Sequence, residues 1–107
     1  TPEEEAELCL SILLALNATF YDNGRKQQFI QHLLDRCWNV LDKLPASLLK
    51  VRLLTCCYGE VYDEKLASEA HSIIDTWDAS SLTPEQTEII GELKNMEENQ
   101  YPFEIVD

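Results

Sequence analysis

Three features of the sequence predict an all-α fold: five helices in an irregular bundle or in stacked helical hairpins, followed by an extended C-terminal tail. Apolar residues recur at three- and four-residue spacing in five successive segments. No segment carries the alternation of apolar and polar residues expected of a half-buried strand. The first and last segments open with Thr1-Pro2-Glu3-Glu4 and Thr83-Pro84-Glu85-Gln86. Each opening joins a capping hydroxyl, a proline at the first helical position, and a Glu or Gln three residues after the cap. The chain has 107 residues, 45% of them apolar types. That size suits one domain over residues 1–107, because two halves would each lack a core.

The first helix is expected to run from the Thr1 cap to about Thr19. Leu8, Cys9, Leu10, Ile12, Leu13, Leu14, Ala15 and Leu16 cover most of its circumference. Such a helix either lies centrally or is covered by an N-terminal segment that precedes this chain. Tyr21-Asp22-Asn23-Gly24 reads as a turn. The second helix carries the stripe Ile30, Leu33, Leu34, Cys37, Leu41 and Leu44, widened by Trp38 and Val40, until Pro45 removes a backbone donor. A third helix, from Ala46 or Ser47 to about Tyr58, is heavily apolar, is stopped by Gly59, and points Lys50 and Arg52 outward. Asp63 caps a fourth, with its stripe at Leu66, Ala70, Ile73, Ile74 and Trp77. Asp78 to Leu82 is a linker. The fifth helix has one apolar edge, Ile89, Ile90, Leu93 and Met96, and an acidic remainder. Residues 99–107, with Tyr101-Pro102-Phe103, read as the extended tail. Tyr101 and Phe103 are its candidate anchors for a partner, or for the fifth helix itself.

Eight Lys and Arg face 20 Asp and Glu, a net charge of −12. Residues 1–24 hold acids and no base, and residues 78–107 hold eight acids against Lys94 alone. Arg25-Lys26 is too small a cluster to track a nucleic-acid backbone, so direct nucleic-acid binding is not expected. An acidic surface serves solubility or complements a basic protein. The most apolar stretch, Leu8 to Leu16, is too short for a membrane span. Cys9, Cys37, Cys56 and Cys57 lie among aliphatic residues without the spacing of a disulfide framework, and read as reduced core residues. With no signal-like start, a cytoplasmic protein is expected.

Candidate chemistry is sparse. The vicinal pair Cys56-Cys57 offers a redox or soft-metal site as one reading, but adjacent residues on a helix point about 100° apart and no CxxC or Cys/His quartet accompanies them, so core packing is expected. His32 and His71 have helical carboxylate neighbours suited to surface ion pairs, and neither forms HExxH. There is no glycine-rich phosphate loop and no GxSxG. No catalytic, cofactor-binding or metal-ligating residue is predicted.

Longer stretches are more specific. They include Asn17-Ala18-Thr19-Phe20-Tyr21-Asp22-Asn23-Gly24, Leu34-Asp35-Arg36-Cys37-Trp38, and the run from Leu44-Pro45-Ala46-Ser47 to Leu54. Further along are Cys57-Tyr58-Gly59-Glu60-Val61-Tyr62-Asp63, Ile73-Ile74-Asp75-Thr76-Trp77, and the ending Met96-Glu97-Glu98-Asn99-Gln100-Tyr101-Pro102-Phe103-Glu104. Taken together, nearly the whole chain resembles the UpxZ proteins of Bacteroides capsular polysaccharide loci. The resemblance implies a non-enzymatic inhibitor of transcription antitermination. Its partner would be a NusG-like antiterminator of the UpxY type, encoded by another polysaccharide locus. It also implies an additional N-terminal region beyond this chain. No residue roles carry over. The acidic faces of the first and fifth helices, with Glu88, Glu92 and Glu98, are the expected contacts for a basic surface of that partner. The alternative is a helical-repeat adaptor that binds a peptide in a groove lined by Trp38, Tyr58 and Tyr62.

Overall fold

Five helices form, α1 (Pro2–Asn17), α2 (Gly24–Leu41), α3 (Leu48–Val61), α4 (Glu64–Ile74) and α5 (Pro84–Asn99). The computed structural model describes residues 1–17 and 24–99, with side-chain surroundings for 1–16 and 28–98. The turn residues Tyr21 to Asn23 and the tail with Tyr101 and Phe103 lie outside the described residues. No strand occurs among the described residues.

Helix starts follow local hydrogen bonding. The Glu4 amide donates to Thr1 Oγ1 at 3.1 Å, and the Thr1 hydroxyl donates back to the Glu4 carboxylate at 2.9 Å. At α5 the box is reciprocal: the Gln86 amide donates to Thr83 Oγ1 and the Thr83 amide to Gln86 Oε1. Ser47 caps α3 by accepting from the Lys50 amide, and Asp63 caps α4 by accepting from the Lys65 amide. The Asp78 to Leu82 linker is also ordered by side chains. Asp78 accepts from the Ser80 amide and the Ser80 and Ser81 hydroxyls, and these bonds, those of Ser80 foremost, hold its carboxyl below the ordinary value.

Helix ends depart from the expectations. α2 stops at Leu41, a turn before Pro45. The Lys43 and Leu44 amides bond to the carbonyls of Val40 and Leu41, tightening the chain so that Leu44 still reaches the core. The residue before a proline disfavours helical backbone, and the tightened turn meets that constraint. α3 does not stop at Gly59. It continues to Val61 and ends on Tyr62, which adopts φ 52°, ψ 38° and donates its amide to the Tyr58 carbonyl at 2.7 Å. Gly59 serves packing instead, since a methyl group there would lie 3.3 Å from Met96 Sδ of α5. α4 ends at Ile74, with Trp77 held in the following turn by a bond from its amide to the Ile74 carbonyl.

The central position belongs to α3, which packs against each of the other four helices, while α1 also packs on α2. Val51, Leu53, Leu54, Thr55, Cys57 and Tyr58 of α3 are all buried. The Thr55 hydroxyl is satisfied within the helix by donating to the Val51 carbonyl at 2.7 Å. α1 is therefore not the central helix. Ala6, Cys9 and Leu13 form its buried face, and Leu8 and Leu14 on the rest of its apolar circumference remain 51% and 54% exposed.

Ion pairs join neighbouring helices. Arg36 of α2 donates to Glu5 of α1 at 2.8 Å, and both side chains are well exposed. Lys50 does not point outward. Its side chain is only 13% exposed, and its ammonium meets Glu69 Oε2 of α4 at 2.7 Å and the Leu44 carbonyl at 3.4 Å. Lys50→Ala removes a partly desolvated charged bond and a partner of the Leu44 carbonyl, and is expected to cost about 1–2 kcal/mol in denaturant unfolding. Arg36→Ala, at an exposed pair, is expected to cost no more than about 0.5 kcal/mol. Equal losses would show that Lys50 acts only as a surface charge. At the end of α3, Tyr62→Ala and Tyr62→Gly both delete the edge-on contact with Tyr58, whose ring centroid lies 5.3 Å away. Only alanine keeps the left-handed strain, so the Ala variant should be less stable than the Gly variant by about 1 kcal/mol.

Candidate functional site

Between α1 and α5, over the middle of α3, lies a groove of about 200 Å³. Each helix contributes a stripe set by its period. Leu10 and Leu14, four residues apart, form the α1 wall, and Arg52 and Cys56, also four apart, form the α3 floor. The α5 wall is Glu85, Glu88, Ile89 and Glu92. This stripe spans two turns, about 10 Å of helix axis. One wall is thus aliphatic and the other carries three carboxylates around one isoleucine. On α1, Glu3 and Glu7 fall on the same helical face as Leu10 and Leu14 and continue that stripe as acids.

The electrostatics of the acidic wall are frustrated. Glu92, exposed at the groove edge, has its pKa raised, first by partial desolvation and then by the charge of Glu88 one turn away, and Arg52 on the floor relieves it only in part. Cys56 is pushed up to about 11, chiefly by burial, so at neutral pH it is an uncharged thiol. Cys57 points instead into the core, where it is fully buried with Cys9 and Cys37. All four cysteines are free; Cys9, Cys37 and Cys57 are core residues as expected, whereas Cys56 is half-buried on the groove floor.

Of the expected contact residues, the structure brings Glu88 and Glu92 together at the groove. Glu98 is exposed near the end of α5, and six residues of helix turn it about 120° away from Glu92, off the groove wall. Tyr101 and Phe103 lie outside the described residues. Among the acids of α1, Glu4 is engaged by the Thr1 cap and Glu5 by Arg36, while Glu3 and Glu7 are exposed. Sequence reasoning missed Arg52 as a floor residue, having expected it outward, and Leu10 and Leu14 as a groove wall. The signal was there in the excess of apolar residues around the first helix. The aromatic groove of the adaptor alternative does not form as expected, because Tyr58 is completely buried.

The histidines also have structural settings. His71 Nε2 lies 2.8 Å from Glu97 Oε1, joining α4 to α5, and His32 is exposed. Among the described residues no group of three His, Cys, Asp or Glu side chains is arranged to hold a metal ion, and no helix is long and apolar enough to cross a membrane.

An acidic helical module with an apolar, carboxylate-rimmed groove has chemistry of the kind that suits docking against another protein. The comparisons with known proteins agree in kind. The model of the UpxZ family of transcription anti-terminator antagonists matches residues 1–59. The crystal structure of a transcription anti-terminator antagonist UpxZ from Bacteroides uniformis ATCC 8492 is 59% identical in sequence. It superposes with a TM-score of 0.92 over 100% of this chain and 70% of that one. The chain belongs to the UpxZ family. No protein of curated function matches it.

The raised pKa of Glu92 has a consequence for stability. The folded state holds a proton on Glu92 at pH values where the unfolded chain has released it. Stability contributed by this group is therefore present below the ordinary glutamate value, 4.5, and is lost as pH rises through the raised folded value. Glu92→Gln removes that loss. Its melting temperature is expected to exceed that of the unsubstituted protein at pH 7, with the gap closing when both are measured below pH 4.5. A Gln variant less stable at pH 7 would show that Arg52 outweighs the partial desolvation and Glu88.

Proposed function

We propose that this protein antagonises transcription antitermination by binding a NusG-like antiterminator of the UpxY type, encoded by a non-cognate capsular polysaccharide operon. In this way only one such operon is transcribed at a time. Membership of the UpxZ family carries the reading, since that family is one of anti-terminator antagonists. The chemistry of the surface supports it. A factor that works against polymerase and nucleic acid carries basic surface, and an acidic protein masks such a surface through complementary fields that also speed encounter. The carboxylates of α5 provide this complement: Glu88 and Glu92 at the groove, and Glu98 nearer the helix end. Tyr101 and Phe103 would add aromatic anchors beyond α5. The protein acts by occupancy and performs no reaction on its partner.

Titration of the purified chain against cognate and non-cognate UpxY-type antiterminators and housekeeping NusG, at low and high salt, tests this. The expected result is preferential binding of the non-cognate antiterminators, weakened by salt. Reversing Glu88, Glu92 and Glu98 to Lys together should abolish most of that salt dependence. Absence of binding to every antiterminator would rule out direct sequestration. Binding that is indifferent to the charge reversal would rule out the acidic face.

A further inference from the structure

Resting on the reading of this protein as one that binds a protein partner, we infer that the groove between α1 and α5 receives a basic amphipathic helix of that partner. Aliphatic side chains of the helix insert against Leu10, Leu14 and Ile89, and its Lys or Arg residues lie against Glu85, Glu88 and Glu92.

The groove is two-sided in its chemistry. The α1 wall is aliphatic and Leu14 leaves more than half of its surface to water, an exposure that a docked apolar side chain removes. The α5 wall holds three carboxylates, and the single cation at the floor, Arg52, leaves the wall negative. Glu92 is already disfavoured in its charged form by partial desolvation and by Glu88. An incoming ammonium or guanidinium reverses that penalty, whereas an acidic or purely apolar occupant aggravates it or leaves it in place. The occupant must therefore present apolar groups on one side and cations on the adjacent side.

A helix lying across the mouth of the groove meets this requirement, its side chains and not its backbone filling the space of about 200 Å³ between the walls. The walls and floor are helices, whose backbone groups are used internally, so an extended segment finds no sheet edge to pair with and helix-in-groove docking is the mode that remains. Leu10 and Leu14 set a repeat of one turn along the groove, and the two turns of α5 carboxylates match about two turns of an incoming helix. Apolar anchors at i and i+4, with Lys or Arg on the flanking face, fit both walls. A second copy of this chain is a poor occupant, because its net charge of −12 opposes docking on an acidic wall.

Two probes separate this inference from the function it rests on. One is a purified UpxY-type antiterminator. The other is a designed helical peptide of about 16 residues, long enough to hold a helix, with Leu at i and i+4 and Lys or Arg beside them; a control peptide has Glu in place of the bases. Both probes are titrated against the unsubstituted chain, Leu14→Glu, Glu88→Lys, and the control Glu64→Lys on α4, with melting curves confirming that each variant is folded. Leu14→Glu and Glu88→Lys should each weaken both probes by about tenfold or more, with Glu64→Lys unchanged and the acidic peptide binding far more weakly than the basic one. Antiterminator binding that survives both groove variants overturns the groove inference and leaves the proposed function standing. Groove-dependent binding of the basic peptide without any binding of antiterminator overturns the proposed function and keeps the groove. Failure of both probes overturns both. Self-association by analytical ultracentrifugation that Leu14→Glu abolishes would assign the groove to a second copy and overturn the inference.

Discussion

The packing of α3 against all four other helices is the constraint on which the rest of the structure depends. The strip with Arg52 and Cys56 is left to line the groove, while Val51, Leu53, Leu54, Thr55, Cys57 and Tyr58 form a wide buried arc that is stable only when other helices cover it. α1, α2, α4 and α5 take up that role. Each covers a sector of α3, so a narrow apolar stripe suffices for α2, α4 and α5, whereas α1 carries more apolar surface than its sector uses. Even the polar residue in the middle of α3 is made compatible with burial, since the Thr55 hydroxyl is satisfied by its own helix. The cross-helix ion pairs are subordinate to this packing. Lys50, with its stem withdrawn from water and its ammonium shared between Glu69 and the Leu44 carbonyl, ties elements together where the pairing is partly desolvated.

The groove follows from the same constraint. Two helices laid on one central helix leave a furrow above it wherever the side chains between them are short or end in charge. Cys56 is small, and Arg52 ends in a charge that the groove leaves room to solvate. The walls then differ because their sequences differ: α1 has more apolar surface than α3 can cover, and α5 has only a narrow apolar edge. A docking site thus arises from a mismatch between an oversupplied helix and an undersupplied one.

Where the sequence was legible, the interactions are local. The Thr1 and Thr83 boxes, the Asp63 cap and the period of each stripe involve residues within a turn of one another, and the structure reproduces them. Legibility failed where a distant residue decides the outcome. Gly59 is an ordinary stop signal until Met96 arrives from α5 and makes a residue without Cβ useful inside the helix. Lys50 looks like a solvated charge until Glu69 of α4 and the Leu44 carbonyl are placed beside it. Of the candidate contacts, Glu88 and Glu92 share the groove wall because four residues separate them, a relation visible in the sequence. That their partners across the groove are Leu10 and Leu14 is not.

The sequence by itself determined that the chain is all helical, where α1, α4 and α5 begin, that its charge is acidic at both ends, and which family it resembles; α2 instead begins at Gly24, which the sequence places in the preceding turn. These properties depend on composition, on short-range hydrogen bonds and on residue order, none of which needs a third dimension. Only the tertiary structure decided which of the two strongly apolar helices is enclosed. Both α1 and α3 carry apolar residues nearly all round, so periodicity cannot rank them. Packing resolves the choice because one position in the bundle touches all four other helices, and α3 occupies it. The exposed leucines of α1, and with them the groove, are the physical remainder of that choice.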